Sequence, residues 1–388
     1  MAEIYKGIAE DGQEKELLRF LDKVFTRLRV RAVPYFLPLL PKLYKHDYRP
    51  CQNNIVIRDE KGLRAAVGLY MLTYVCGGET LLAGGIGNVA VGKKFRGMGY
   101  MKELMGEALS ICSERGADFM VLGGKRQRYN YFGYERVGAL YEYRVTATNI
   151  RHVLGGGDAQ GFSVHRLRKD DTEYLAKIYA LRQNAPVHVD CKEDALYDTL
   201  RSWFAKPYVL LDDGSFAGYF IVNRSGSVIE ELRLLDSAKF PQTVSVIFQE
   251  LWRSKLKFDF SPAETEANAF FRSLCEDANI RTPESYLILN YRRVLEVLMQ
   301  EQNNRAPLVD GAFTLHINGF AGEENLRIAA DDGQISVTQT DAPPDAALEH
   351  LAATRVLFDP LSPERDALPP IARAWFPVPL FFPNADMV

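Results

Sequence analysis

Residues 89–100 read V-A-V-G-K-K-F-R-G-M-G-Y, and the helix-forming run M-K-E-L-M-G-E-A-L follows at once. The preceding apolar residues, 86–91, predict a strand that runs into a glycine-containing loop at the start of a helix. Glycines let a backbone approach a ligand closely, and a helix N-terminus presents free N–H groups with a partial positive charge. Because Lys93, Lys94 and Arg96 add full charges, the loop is suited to a pyrophosphate.

Two common phosphate-binding motifs differ from this loop. The chain has no G-x-x-x-x-G-K-[ST] run, which a Walker loop needs. A dinucleotide fingerprint needs G-x-G-x-x-G after the first strand of a βαβ unit, whereas the spacing here is K-x-x-G-x-G after several predicted strands. A basic turn before a surface helix remains the alternative for the loop taken alone.

A second segment lies one predicted helix further along the chain. Residues 118–124, D-F-M-V-L-G-G, predict a buried strand that ends in glycines, and Y-N-Y-F-G-Y follows at 129–134. The two segments together resemble the GCN5-related N-acetyltransferases (GNAT), in which an [R/Q]-x-x-G-x-[G/A] loop binds the pyrophosphate of acetyl-coenzyme A and a Y-x-x-x-G-[F/Y] segment follows the fifth strand. Lys94 stands where that family usually has Arg or Gln, and a lysine can still meet a phosphate as a point charge.

The resemblance implies an acetyl-CoA-dependent N-acetyltransferase that needs no metal. It implies that Tyr129 is the general acid for the leaving thiolate, whereas Tyr134 has a structural role. A Tyr-rich turn that only packs its rings is the simpler alternative. The implied acetyl-CoA-binding residues are Val89, Val91, Lys94, Phe95, Arg96, Gly97, Met98, Gly99 and Tyr100.

The patterns V-A-V-x-x-x-x-R and Y-x-x-F-G-Y also look like those of the enhanced intracellular survival (Eis) group of acetyltransferases. The implied fold class is α/β and α+β: two GNAT-like mixed-sheet domains, at 1–150 and 160–290, followed by a sterol-carrier-protein-like α+β domain at 291–388. The second domain is expected to lack a pyrophosphate loop, because residues 234–243 read L-L-D-S-A-K-F-P-Q-T. An unrelated α/β unit is the alternative there.

The predicted fourth strand ends G-G-I-G-N-V-A-V and has no carboxylate that could serve as a base. In the Eis group the C-terminal carboxylate reaches the active site, which by resemblance points to Val388 at the end of P-L-F-F-P-N-A-D-M-V. The group usually ends in an aromatic residue, so this chain departs from it. Asp386, or His46 with Asp47, are the alternative bases.

The expected acceptor is an amine of a small molecule or peptide. Asn88 stands where the aminoglycoside-modifying Eis members have an aromatic residue, and the segment 24–50 that would wall the acceptor site is basic. Both features argue against a polycationic acceptor, unless the cations face solvent. The cations of this segment are Arg27, Arg29, Arg31, Lys42, Lys45 and Arg49.

Composition limits the remaining classes. The 388 residues carry a net charge of −3, which gives no electrostatic case for nucleic-acid binding, and no apolar run suits a membrane span. The five cysteines and six histidines are scattered, so the expectation is a cytoplasmic protein with reduced thiols and no metal site. The resemblance also implies a homo-oligomer. A non-catalytic CoA- or lipid-binding protein that uses the third domain remains the alternative function.

Periodicity predicts the elements that hold these motifs. A helical N-terminus, with a helix over 13–29, precedes strands over 54–58, 65–75 and 81–91. The helix after the glycine loop is expected to run to about Arg115. In the last part of the chain, three predicted strands between 313 and 339 precede a helix near 346–353.

Overall fold

The computed structural model describes residues 4–26, 35–156 and 159–388. The chain forms two compact units. Unit 1 contains the chain up to Val137, Pro283–Leu380 and Met387–Val388, and unit 2 contains Gly138–Thr282 and Phe381–Asp386.

The part of unit 1 before Val137 is rich in strands. Its elements are β1 (Tyr5–Ile8), α1 (Glu14–Phe25), α2 (Phe36–Leu39), α3 (Pro41–Tyr44), β2 (Asn54–Asp59), β3 (Gly62–Cys76), β4 (Glu79–Val91), α4 (Tyr100–Glu114), β5 (Phe119–Leu122), α5 (Arg126–Tyr129) and β6 (Glu135–Val137).

Unit 2 alternates strands and helices. Its elements are β7 (Leu140–Thr146), α6 (Ala147–Val153), β8 (Phe162–Arg166), α7 (Thr172–Gln183), β9 (Val187–Val189), α8 (Leu196–Leu200), β10 (Lys206–Asp212), β11 (Ser215–Val222), β12 (Val228–Leu234), α9 (Phe240–Leu251), β13 (Lys255–Phe260), α10 (Thr265–Leu274) and β14 (Asp277–Arg281).

The chain then returns to unit 1. The elements there are β15 (Glu284–Ile288), α11 (Tyr291–Arg305), β16 (Gly311–Asn318), β17 (Glu323–Asp331), β18 (Gln334–Gln339), β19 (Ala346–Glu349), α12 (His350–Phe358) and α13 (Pro370–Trp375).

The main sheet of unit 1 has the strand order β1-β2-β3-β4-β5-β15-β6. Strands β4 and β5 are parallel, and their pairing ends at Gly85 opposite Val121, although β4 continues to Val91. Beyond this point the two strands diverge. Helix α4 covers one face of the sheet through Leu104, Ala108 and Cys112, whose spacing of four residues keeps them on one side of the helix.

A second, four-stranded sheet in unit 1 has the order β18-β17-β16-β19. Its first three strands confirm the prediction for residues 313–339. The predicted helix at 346–353 is wrong in its first half, because residues 346–349 pair as β19 with β16 and the helix begins only at His350. Backbone pairing with a neighbouring strand here outweighs the helix propensity of the alanines. Similarity of this region to sterol carrier proteins stays a prediction.

The sheet of unit 2 has the order β14-β7-β13-β12-β11-β10-β8. Strands β12 and β13 are parallel and pair only at Val228–Lys257 and Ile229–Phe258, while β12 continues to Leu234. Helix α9 follows β12, so this unit repeats the order of diverging parallel strands and intervening helix found in unit 1. Its core contains Phe220, Ile247, Phe258 and Phe271.

The two compact units do not coincide with the predicted domains 1–150, 160–290 and 291–388. Strand β7, expected to close the first domain, pairs with β13 and β14 of unit 2. Strand β15 pairs with β5 and β6 of unit 1. The chain changes unit at 137/138, 282/283, 380/381 and 386/387, and the three-domain division remains a prediction.

The predicted helical N-terminus is also wrong for its first described residues. Residues 5–8 form strand β1, which pairs antiparallel with β2. The predicted helix over 13–29 is found as α1, Glu14–Phe25, and residues 27–29 lie outside the described residues. The strands predicted at 54–58, 65–75 and 81–91 are confirmed as β2, β3 and β4.

Candidate active site

Strand β4 leads directly into the glycine loop. Gly97 and Gly99 have φ angles of 84° and 83°, which glycine adopts without strain. A Cβ atom at either position would have no heavy atom within 4 Å, so the space in front of the loop is open. Helix α4 then begins at Tyr100 without a side-chain cap, which leaves its first N–H groups without a partner inside the helix. These groups suit an anion such as a pyrophosphate.

Three of the side chains predicted to bind the coenzyme face solvent. Lys94 and Arg96 are exposed at the rim, and Met98 is 57% exposed. Their positions allow the two cations to meet phosphate oxygens as mobile charges. The exposed methionine adds an apolar surface beside them.

Phe95 and Tyr100, also predicted to bind the coenzyme, turn inward instead. The Arg64 guanidinium lies 5.0 Å from the centroid of the Phe95 ring and donates to the Tyr100 hydroxyl at 3.0 Å. Arg64 also forms an ion pair with Asp59 and lowers the pKa of that carboxyl. The two aromatic side chains therefore hold the loop in place, and their main-chain atoms are what a coenzyme would meet. Sequence analysis missed Arg64, which lies on the neighbouring strand.

Val89 and Val91 lie on the part of β4 that continues beyond its pairing with β5. One edge of this segment pairs with β3, at Val67–Val89 and Ala65–Val91. The pairing of the other edge with β5 ends at Gly85, so main-chain groups of residues 86–91 face the opening between the strands. Such groups can pair with an extended ligand as a further strand would.

Tyr129 is the last residue of α5 and is only 7% exposed. Its ring packs against Gly124, where a Cβ atom would come within 2.4 Å of its Cε2 atom. Burial raises the pKa of Tyr129, and the Arg128 side chain opposes this shift. The phenol is therefore protonated at neutral pH and can act as a proton donor. Tyr134 is fully buried, and its hydroxyl lies 3.6 Å from the sulfur of Met120, as a packing role requires.

The end of the chain lies where β4 and β5 diverge. A Cβ atom on Gly85 would be 2.7 Å from Cγ2 of Val388, and one on Gly87 would be 3.6 Å from the carboxyl carbon of Val388. Near the end of β5, the Met387 methyl group lies 4.0 Å from the corresponding position of Gly123. Glycines on β4 and directly after β5 thus provide the space for the last two residues. These glycines were the available sequence signal, and sequence analysis did not use them.

The alternative bases lie elsewhere. Asp386 is 3% exposed and accepts a hydrogen bond from Nη2 of Arg182 at 2.6 Å, within unit 2. The side chain of His46 is 87% exposed and lies 3.9 Å from Glu14, and Asp47 is also exposed. The carboxylate of Asp386 is therefore engaged in an ion pair, and the other two groups are at the surface.

An aromatic cluster packs beside β4 on the proposed acceptor side. Phe36 and Tyr44 meet edge to face at 5.3 Å between centroids, and the Tyr44 hydroxyl donates to Oδ1 of Asn88 at 2.5 Å. Tyr70 lies under Gly87, with its Cε2 atom 3.1 Å from the position of a Cβ. Among the described residues, Nδ2 of Asn88 is buried without a hydrogen-bond partner. This surface is apolar with one buried amide donor.

The predicted basic wall is described only in part. Lys42 and Lys45 are half-buried and Arg49 is exposed, and their role in a wall of the acceptor site stays a prediction. The remaining three, Arg27, Arg29 and Arg31, lie outside the described residues.

The described residues contain neither a candidate metal site nor a helix that could span a membrane. Within residues 4–26, 35–156 and 159–388, no group of three or more His, Cys, Asp or Glu side chains could hold a metal ion. In the same ranges, no helix has the length and apolarity that crossing a bilayer requires. The five cysteines are free thiols.

Residues 8–139 match the family model for the acetyltransferase (GNAT) domain. This part of the chain is similar to GNAT domains. The match covers the glycine loop, the diverging strands and the tyrosine segment. No curated protein matches the chain in sequence.

The similarity to solved structures covers far more of the chain than residues 8–139. A GCN5-related N-acetyltransferase from Kribbella flavida is 17% identical with a TM-score of 0.67, and the match covers 97% of this chain and 96% of that chain. A GCN5-related N-acetyltransferase from Anabaena variabilis is 17% identical with a TM-score of 0.64, over 90% and 88%. Eis1 from Mycobacterium abscessus is 14% identical with a TM-score of 0.64, over 96% of both chains. At these identities the similarity concerns the fold alone.

Proposed function

We propose that the protein is an N-acetyltransferase that transfers an acetyl group from acetyl-CoA to an amine of a small molecule or peptide. The observation that carries this proposal is the glycine loop at the uncapped start of α4, placed after a strand that diverges from its parallel neighbour in a GNAT domain. The similarity to Eis1 over nearly the whole chain supports an Eis-like organisation.

Acetyl-CoA supplies a thioester whose carbonyl carbon an amine can attack. The N–H groups of the loop and of the first turn of α4 bind the pyrophosphate, assisted by Lys94 and Arg96. Main-chain groups of Val89 and Val91, on the free edge of β4, bind the extended arm and polarise the carbonyl oxygen. Preorganised donors of this kind act without reorganising during the reaction.

Proton transfer falls to two groups. The amine nitrogen forms a bond to the carbonyl carbon and the C–S bond breaks, while Tyr129 donates its phenolic proton to the sulfur. A phenol has a pKa of about 10 and a thiol a pKa of about 8.5, so this proton transfer is slightly uphill. A hydrogen bond from the phenol already stabilises the leaving sulfur. The amine proton passes through water to the Val388 carboxylate. A terminal carboxyl has a pKa of about 3.5, so this carboxylate is a weak base and mainly orients the amine.

Unit 2 is proposed to keep the GNAT-like fold without binding the coenzyme. Its strands β12 and β13 diverge as β4 and β5 do, but the turn before α9 contains no glycine. The side chain of Asp236 accepts a hydrogen bond from the N–H of Ala238 at 2.9 Å. A carboxylate therefore occupies the place where the coenzyme's phosphates would sit, and like charges repel.

The test is a thiol-release assay with acetyl-CoA and a panel of small amines and peptides. Wild-type protein should release thiol with at least one amine, and Gly99→Glu should abolish this release because a carboxylate and a strained φ enter the loop. Gly106→Glu is the matched control: it adds the same charge within α4 where no heavy atom lies within 4 Å of a Cβ. Acetyl-CoA binding without thiol release for any amine would instead support the non-catalytic alternative, with lipid extraction and mass spectrometry as the second readout.

A further inference from the structure

Glu135, the first residue of β6, ties together both sides of the turn that carries Tyr129. Its side chain is fully buried. Arg126, at the start of α5, donates to Oε1 through Nε at 2.5 Å and to Oε2 through Nη2 at 2.8 Å. Asn130, the residue after Tyr129, donates through Nδ2 to the same Oε2 at 3.3 Å. One carboxylate therefore fixes the residues that lie three before and one after the tyrosine.

The C-terminal part of unit 1 holds the same turn from the other side. Arg355 of α12 donates through Nη1 to Oε2 of Glu135 at 2.8 Å. Nε2 of His350 donates to the carbonyl oxygen of Gly133 at 2.8 Å, and burial lowers the pKa of His350, which keeps this imidazole neutral. Phe320 covers Gly133 so closely that a Cβ atom there would be 2.5 Å from its Cδ2.

These contacts differ from ordinary packing because they converge on one short segment. Residues 126–134, here called the tyrosine turn, contain one short helix and a 3₁₀ turn, and the backbone hydrogen bonds that they donate reach back at most five residues. A segment of this kind keeps a fixed geometry only if its surroundings impose it. The two-pronged hydrogen bond between Arg126 and Glu135 is the most directional contact available for this.

We propose that Glu135 is a positioning residue for Tyr129, and that Arg355 and His350 extend this support from residues 283–380, which gives the C-terminal part of unit 1 a role in catalysis. The proposal rests on the proposed acetyltransferase function. Glu135 does not touch the reacting atoms and acts only through the orientation of the phenol.

The first test compares Glu135→Gln with Glu301→Gln. Glu301 is the matched control because it is 5% exposed and accepts two hydrogen bonds from Arg305, at 2.7 and 2.9 Å, on α11 of the same unit. Glu135→Gln should lower kcat at least tenfold and leave KM for acetyl-CoA within threefold, while Glu301→Gln keeps kcat. A kcat within twofold of wild type in Glu135→Gln would overturn the proposal.

A double-mutant cycle then separates positioning from a general loss of structure. If Glu135 acts through Tyr129, Glu135→Gln should have almost no further effect on turnover in a Tyr129→Phe background. If the double variant loses kcat by the product of the two single fold-losses, Glu135 acts elsewhere and the proposal is overturned. Should Glu135→Gln fail to fold, Arg355→Met removes the α12 contact to Glu135 together with the ion pair between Arg355 and Glu364, and it should give a smaller loss of kcat with the same non-additivity.

A readout independent of activity distinguishes failure of this proposal from failure of the proposed function. Trypsin can cleave after Arg126 and Arg128, which are exposed within the tyrosine turn. Glu135→Gln should be cleaved there at least fivefold faster than wild type and Glu301→Gln at the wild-type rate, even if no acceptor amine is found. Equal cleavage of Glu135→Gln and wild type would overturn the positioning role by itself.

Discussion

At the scale of single residues, the proposed proton donor is a phenol whose burial favours the protonated form. Burial raises the pKa of Tyr129, and the nearby Arg128 guanidinium limits this rise. If Tyr129 is the proton donor to the leaving thiolate, as we propose, this cation adjoins the donor. A buried proton donor beside an exposed cation suits proton donation to a group on which negative charge develops.

Replacing Tyr129 by Phe should keep coenzyme binding and lower turnover. The ring would still pack against Gly124, whereas the proton donor would be lost. General acid catalysis typically contributes a factor of about 10² to 10⁴, so kcat should fall within that range. Steady-state kinetics with a good acceptor and calorimetry with acetyl-CoA measure the two quantities. Turnover within about twofold of wild type would assign Tyr129 a structural role.

The ion pairs of Glu135 predict a pH dependence of stability. Burial opposes ionisation of this carboxyl, but Arg126 and Arg355 outweigh it and lower the pKa of Glu135 to about 2. Since the carboxyl in the unfolded chain titrates near about 4.3, its ionised form stabilises the fold above that pH, and this contribution is lost as the pH falls towards 2. This contribution to the free energy of unfolding is at most about 3 kcal/mol. Solvent screening makes it smaller, because Arg126 is half exposed.

Urea unfolding of wild type and Glu135→Gln should therefore differ most at pH 7. The difference in free energy of unfolding should narrow steadily between about pH 4 and pH 2, where the wild-type carboxyl also becomes neutral. An equal difference at pH 7 and pH 3 would show that charge at Glu135 does not stabilise the fold.

At the scale of elements, the last two residues of the chain lie where the pairing of β4 with β5 ends, and the glycine loop with α4 follows the far end of β4. Each segment is placed by glycines, which either allow a positive φ or leave room for a neighbour. Gly85 and Gly87 do the second, because side chains there would collide with Val388 or Tyr70.

Removal of the last four residues should lower turnover and leave coenzyme affinity nearly unchanged. Val388 lies against Gly85 and Gly87, whereas the glycine loop is formed by residues further along the chain from β4. A C-terminal tag should have the same effect, because added residues would have to fit beside these two glycines. Steady-state kinetics and calorimetry on both variants measure this, and full activity in a tagged protein would contradict the proposed role of Val388.

At the scale of the whole molecule, each unit contains a pair of parallel strands, β4 with β5 or β12 with β13, that are joined through a helix. Of these two connections, only the one in unit 1 begins with a loop whose glycines, at 97 and 99, have positive φ. In unit 2 the corresponding turn is capped by the Asp236 carboxylate. The two units therefore share an architecture and differ in the groups that would meet a phosphate.

Calorimetric titration with acetyl-CoA should accordingly give one site per chain. Gly99→Glu should remove this site, whereas Asp236→Ala should leave its affinity unchanged because the residue lies in unit 2. Two equal sites, or unchanged affinity in Gly99→Glu, would contradict the assignment of the coenzyme to the GNAT domain.

The features that sequence predicted are those with a local cause. The glycine loop, the strand before it and the position of Tyr129 follow from residues adjacent in the chain, and the structure contains the loop and strands as predicted. Strand β15 and the contact of Arg355 with Glu135 join residues more than a hundred positions apart, and no periodicity encodes such pairings. The placement of the tail beside Gly85 required the structure, although the resemblance had pointed to Val388.

The position of β15 between β5 and β6 has a consequence for synthesis. During translation at about 5 to 20 residues per second, roughly 10 to 30 s separate the emergence of β5 from that of β15. Throughout this interval the edge of the buried strand Phe119–Leu122 has no partner on that side, and an unpaired apolar edge readily pairs with other chains. We therefore expect nascent chains to aggregate most after Leu122 and before Ile288 has emerged, and slower initiation, which spaces the chains apart, should raise the yield of folded protein.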